Sequence, residues 1–181
     1  MIAKASVDEL LRRDVPVALV CTNDARMVWQ DEIDEPYKDV LSQWREHPHF
    51  VDYSVGDTRA PIASGTYPTL GMVVVPSSMS TVAGIAHGMA NNLLLRAADV
   101  CLKEGRKLVV VPRETPLHAI HLENLLTLAR MGVVVLPPEP AFYLRPSSID
   151  DLVGFFVRRI MVAAGIDQDM GDEYRYTGPA E

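Results

Sequence analysis

The chain has 181 residues, and nearly half of them are hydrophobic, so a folded core is expected rather than a disordered chain. Its formal net charge of −7, from 17 basic and 24 acidic residues, argues against a general nucleic-acid or anionic-membrane binder. Cys21 and Cys101 lie far apart without metal-ligand spacing, which favours a reduced, cytoplasmic setting. We find no signal peptide and no membrane-spanning apolar run, and we expect a single domain over residues 1–181.

Short apolar runs alternate with helical patterns along the chain. Ser6-Val7-Asp8-Glu9 has the form of a capping box and predicts the start of the first helix. Strands are predicted at 16–21, 50–53, 71–76, 107–111 and 133–136. Later helices are predicted at 91–104, 116–131 and 148–164. Strands joined in this way by helices indicate a three-layer, Rossmann-like α/β fold with a parallel sheet.

A cation and a carboxylate, Arg113 and Glu114, are adjacent in the turn after the strand at 107–111. Thr115 and Pro116 then offer an N-cap and a first-turn residue for the next helix. Ligands of open parallel sheets bind at the carboxyl ends of strands, beside helix N-termini. The local sequence is compatible both with a functional pair and with an ordinary surface ion pair.

Other residues suited to anions lie nearby in the sequence. Arg96 and Lys103 are seven positions apart and share a helix face, as two solvated residues also would. The segment 76–81 supplies hydroxyls and backbone N–H groups just before a helical segment. Such a turn can bind a phosphate or the edge of a flavin, and it can equally be an N-cap with extra serines.

Four longer segments occur in order. They are Pro-Ser-Ser-Met-Ser-Thr at 76–81, Asn-Leu-Leu-Leu-Arg-Ala-Ala-Asp-Val-Cys-Leu-Lys-Glu at 92–104, Val-Pro-Arg-Glu-Thr-Pro-Leu at 111–117 and Pro-Pro-Glu-Pro-Ala-Phe-Tyr at 137–143. In this order they closely resemble the flavin prenyltransferase family, the UbiX-like flavoproteins. The resemblance is strong over about 63–166 and fainter over 7–32.

The resemblance implies a flavodoxin-like Rossmann fold that binds FMN and forms a homo-oligomer, usually a dodecamer. Members of the family join a dimethylallyl group from dimethylallyl phosphate to N5 and C6 of reduced FMN, and the prenylated FMN passes to a partner decarboxylase. No metal is expected, because metal-dependent prenyltransferases use aspartate-rich motifs and Asp150-Asp151 lacks a third carboxylate.

The matching motifs also imply roles for individual residues. Glu114 would be the acid–base carboxylate. The phosphate of the prenyl donor would be held by Lys103, Arg113, Tyr143 and Arg159. The residues around FMN would be Thr22, Ser78, Thr81, Arg96 and Arg113.

The chain departs from the family pattern at its start, where the initial strand and glycine-rich loop are missing. Ser77 also stands where many relatives have cysteine, and Ser80 where they often have a basic residue. A prenyltransferase is the leading interpretation, and a non-catalytic flavin-binding or assembly subunit of the same fold is the alternative. A flavin-dependent cysteine decarboxylase fits less well, because that class favours a Pro-Ala-Ser-Ala-Asn-Thr type of segment at 76–81.

Overall fold

The computed structural model describes residues 1–176 and 178, in which five strands and seven α-helices form. The strands are β1 (Val17–Val20), β2 (Phe50–Tyr53), β3 (Gly71–Ser77), β4 (Lys107–Pro112) and β5 (Val134–Val135). The helices are α1 (Ile2–Arg12), α2 (Asn23–Glu32), α3 (Tyr37–Arg45), α4 (Met79–Ala86), α5 (Leu93–Lys103), α6 (Ala119–Arg130) and α7 (Ile149–Ala164). All five predicted strands are therefore present, and the first element is a helix.

The strands form two parallel sheets, one of β1 and β2 and the other in the order β3-β4-β5. Strand β4 is paired on both edges, and its residues from Leu108 to Pro112 are all buried. Strands β1 and β3 are each paired on one edge only, and Ala18 in the middle of β1 is exposed. The parallel α/β class is confirmed, but the sheet is divided between β1 and β3.

Helices cover both faces of the β3–β5 sheet and make three layers. Leu108 and Val110 pack with residues of α4, α5 and α6, while Val109 and Val111 pack with α7 and α1. Successive side chains of a strand point to opposite faces, so one apolar run serves both cores. A separate core, which includes Trp29 of α2, joins α1, α2 and α3 to the first sheet.

Helix α1 packs against strands of both sheets. It begins at Ile2, four residues before the start predicted from the capping-box pattern, and Ser6 lies buried inside it. The prediction of this boundary was wrong because Ile2 and Ala5 bury apolar surface against the β4 side of the core, which favours a longer helix.

Two further helix starts test the capping signals. Helix α7 begins as predicted, with Ser148 as N-cap and a capping box completed by Asp151. Helix α6 begins later than predicted, because the His118 side chain supplies the cap acceptor expected from Thr115. In the described part of the chain, no helix is both long and apolar enough to cross a membrane.

Candidate functional site

Three of the predicted site residues lie at the carboxyl ends of strands. Thr22 lies just beyond β1, Ser78 directly follows β3, and Arg113 directly follows β4. Parallel strands end at a common edge, which is where ligands of doubly wound folds bind. The backbone N–H of Arg113 donates to the Ser77 carbonyl oxygen at 3.1 Å, which ties the β4 turn to the end of β3.

Two helices begin at this edge, and each is capped by a predicted ligand-binding residue. The Thr22 hydroxyl accepts a hydrogen bond from the Ala25 N–H at 3.1 Å at the start of α2. The Ser78 hydroxyl accepts one from the Thr81 N–H at 3.2 Å at the start of α4, with the Thr81 hydroxyl 3.1 Å away. The first N–H groups of a helix lack intrahelical partners and carry partial positive charge, so this edge suits an anionic group.

The turn after β4 holds a cation that pairs with one carboxylate and is followed along the chain by another. The Arg113 guanidinium forms an ion pair with Glu32, the last residue of α2. Glu114 is exposed, and its Oε1 accepts a hydrogen bond from the Thr115 N–H at 3.1 Å. The turn therefore offers a guanidinium for phosphate and a solvent-accessible carboxylate for proton transfer within one short segment.

Glu32 is the site residue that sequence reasoning missed. It lies 81 positions from Arg113, in an acidic segment with Asp31, Asp34 and Glu35. Spacing gives no indication of which of these carboxylates faces Arg113. The contact depends on how α2 packs, and no local pattern in the sequence reports it.

Comparison with known proteins identifies the family. The model of the Flavoprotein family matches residues 2–161. A flavin prenyltransferase UbiX from Alkalihalophilus pseudofirmus is 44% identical over 173 residues, covering 90% of this chain and 84% of the relative. One from Methanocaldococcus jannaschii is 38% identical over 162 residues, covering 90% of this chain and 85% of the relative. The chain belongs to the flavin prenyltransferase family.

Solved structures agree with this assignment. The dodecameric, FMN-dependent UbiX-like decarboxylase from Escherichia coli O157:H7 has a TM-score of 0.88 at 42% identity, covering 98% of this chain and 92% of that one. A UbiX protein in complex with FMN and dimethylallyl pyrophosphate has a TM-score of 0.90 at 38% identity, covering 99% of this chain and 92% of that one. These matches confirm the predicted flavodoxin-like fold.

Not all residues carried over from flavin prenyltransferase motifs lie at the carboxyl edge. Lys103 ends α5 just before β4 begins, whereas Arg113 follows the end of that strand. Because a six-residue strand spans about 20 Å, the two side chains start from opposite edges of the sheet. Arg159 is exposed on α7 about 8 Å from its C-terminal end, and that end lies near Lys107 at the amino edge.

The two remaining predicted residues are held by contacts within the chain. The Arg96 Nε donates to the Ala63 carbonyl oxygen at 3.0 Å, and its Nη1 pairs with Asp99 at 2.8 Å. Tyr143 is exposed before α7, and its ring packs edge-on against Tyr176 with centroids 5.9 Å apart. The assignment of these residues to ligands of a flavin prenyltransferase stays a prediction. Within the residues described, no group of three or more His, Cys, Asp or Glu could hold a metal ion.

Proposed function

We propose that this chain is a flavin prenyltransferase that joins the dimethylallyl group of dimethylallyl phosphate to reduced FMN and supplies the prenylated FMN to a decarboxylase. The observation that carries the proposal is the Arg113–Glu114 turn, which lies at the same sheet edge as the N-termini of α2 and α4. The relatives of known activity and the FMN-bound relative support the same reaction.

The carboxyl edge fits a cofactor that carries a phosphate. The Thr22 hydroxyl accepts one backbone N–H and keeps its own proton to donate, whereas the Ser78 and Thr81 hydroxyls share one hydrogen bond and keep one free proton between them. Thr22, Ser78, Thr81, Arg96 and Arg113 form the proposed FMN site. Reduced FMN supplies an electron-rich ring that accepts the allyl group.

Arg113 and Glu114 have separate proposed tasks. Cleavage of the allylic C–O bond leaves the bonding electron pair on the phosphate, and Arg113 stabilises that developing charge through charge-assisted hydrogen bonds. New bonds to the flavin displace protons from it, and the exposed carboxylate of Glu114 can accept and return a proton. The ion pair with Glu32 orients the Arg113 guanidinium, and Glu114 is the next residue in the chain.

A second copy of the chain would complete the phosphate site. Lys103 and Arg159 start from the amino-edge half of the protomer, so we propose that they serve the donor phosphate of a neighbouring subunit in a homo-oligomer. Tyr143 is exposed and is proposed to do the same. The dodecameric assembly of the relative from Escherichia coli O157:H7 supports an oligomer.

The test is anaerobic incubation with reduced FMN and either dimethylallyl phosphate or dimethylallyl pyrophosphate, followed by mass spectrometry of the flavin. We expect a prenyl mass increment with wild type and at least about a hundredfold slower transfer by Glu114→Gln, the usual scale for a lost acid–base group. Glu46→Gln, an exposed glutamate at the end of α3 and outside the site, is the matched control. Unchanged transfer by Glu114→Gln would contradict its role.

The alternative is a non-catalytic flavin-binding or assembly subunit of the same fold. The same incubation separates the two candidates. Bound FMN without a mass increment, from either prenyl donor, would favour the non-catalytic subunit.

A further inference from the structure

Helix α6 is apolar on the face that packs against the protein and also on the opposite face. Asn124 and Leu128 are buried on its inner side, where α6 packs against α4 and β5. Leu122 is 53% exposed and Leu126 is 49% exposed. A row of exposed leucines on the side of a helix that faces away from its own protein marks an interaction surface, so this second face needs a cover that one protomer does not supply.

The exposed residues form a continuous row, which we call the outer stripe. It consists of Ala119, Leu122, Leu126 and Ala129. Their spacing of three, four and three places them on one side of the helix. Glu123 and Arg130 lie beside the stripe and are exposed, and neither forms an ion pair with another residue in the part of the chain the structure describes.

We propose that the outer stripe binds the outer stripe of a second copy, with the two α6 helices antiparallel about a two-fold axis. In a two-fold interface the same patch faces itself, so the patch must be self-complementary. An axis passing between Leu126 and Thr127 sets Glu123 of each copy opposite Arg130 of the other. It also brings the Leu126 side chains together at the centre of the contact.

The charge arrangement selects a second copy over an unrelated apolar partner. Glu123 and Arg130 are two helical turns apart on the same side of the stripe, too far to pair within one helix. In the antiparallel arrangement each carboxylate meets a guanidinium, and both pairs form at once. In the parallel arrangement the charged flanks of the two helices would lie on opposite sides of the contact, and neither pair could form.

The interface deepens the homo-oligomer part of the proposed function and does not depend on prenyl transfer. We expect Leu126→Asp to at least halve the subunit number of the wild-type assembly, measured by native mass spectrometry and light scattering. Leu70→Asp is the control, because Leu70 is 80% exposed and lies outside the stripe. It is expected to leave the assembly unchanged.

A charge exchange keeps the test decisive if Leu126→Asp fails to fold. Glu123→Arg alone, or Arg130→Glu alone, is expected to weaken association at least about tenfold. The double variant Glu123→Arg/Arg130→Glu is expected to recover the wild-type assembly. Single variants that assemble as tightly as wild type would overturn this interface without contradicting the homo-oligomer. A monomeric wild type would contradict both the interface and the proposed homo-oligomer.

Discussion

At the scale of single residues, the Arg113–Glu32 pair is placed to act on a ligand more than on stability. The two side chains are 52% and 35% exposed, and ion pairs this open to water typically contribute less than about 1 kcal/mol. We therefore expect Glu32→Gln to change the free energy of unfolding by less than about 1 kcal/mol while slowing prenyl transfer, because Arg113 loses the group that orients it. Urea denaturation and the initial rate of flavin prenylation measure the two effects.

The control for that prediction is the ion pair of Arg45 and Asp52, which contains no proposed site residue. Arg45→Gln should leave the prenylation rate unchanged. A large loss of stability in Glu32→Gln would show that the pair is mainly structural.

At the scale of elements, a capping box in the sequence sets the start of α7, a helix that packs against the core. Ser148 accepts the Asp151 N–H at 3.1 Å, and Asp151 accepts the Ser148 N–H at 3.0 Å. We expect Ser148→Ala to lower the free energy of unfolding by about 1 kcal/mol, seen as a lower urea midpoint with an unchanged slope. Ser42→Ala is the control, since that hydroxyl donates to the Lys38 carbonyl on the exposed side of α3 and caps nothing. Equal effects of the two changes would contradict the capping role.

At the scale of the whole molecule, Glu9 and Asp167 join the first helix to the segment after the last one. Arg13 contacts both carboxylates, and Arg158 donates to Asp167 at 2.7 Å. Hydrogen bonds from Arg12 and then Arg13 lower the pKa of Glu9 to about 2, although burial opposes this shift. A folded-state pKa below the ordinary value stabilises the protein above pH 4.5, and this stabilisation is lost as the pH falls toward 2.

The lowered pKa of Glu9 predicts how the stability of a Glu9 variant depends on pH. Glu9→Gln should lower the free energy of unfolding at pH 7 by about 1 kcal/mol, with the difference from wild type shrinking between pH 4.5 and 2. Chemical denaturation at a series of pH values measures it, with Glu139→Gln as a control that should show no such trend. A difference that stays constant down to pH 2 would contradict the linkage.

The same three scales show what could be predicted from the sequence. Strand β4 and helix α7 were predicted correctly because a β-branched run and a capping box are local signals. The start of α1 was missed because it depends on burial against distant strands. Glu32 was missed because its contact with Arg113 is set by packing, whereas the strand predicted at 107–111 already separates Lys103 from Arg113.

The division of the sheet between β1 and β3 has a mechanical consequence for the ligand cradle. Neighbouring strands in a continuous sheet are held about 4.8 Å apart by their hydrogen-bond ladder. Thr22 and Ser78 follow strands that share no such ladder, so tertiary packing, including that of α1, takes the place of strand pairing between β1 and β3. The spacing of the two helix N-termini is therefore set by the packing of helices and not by the hydrogen-bond register of a sheet.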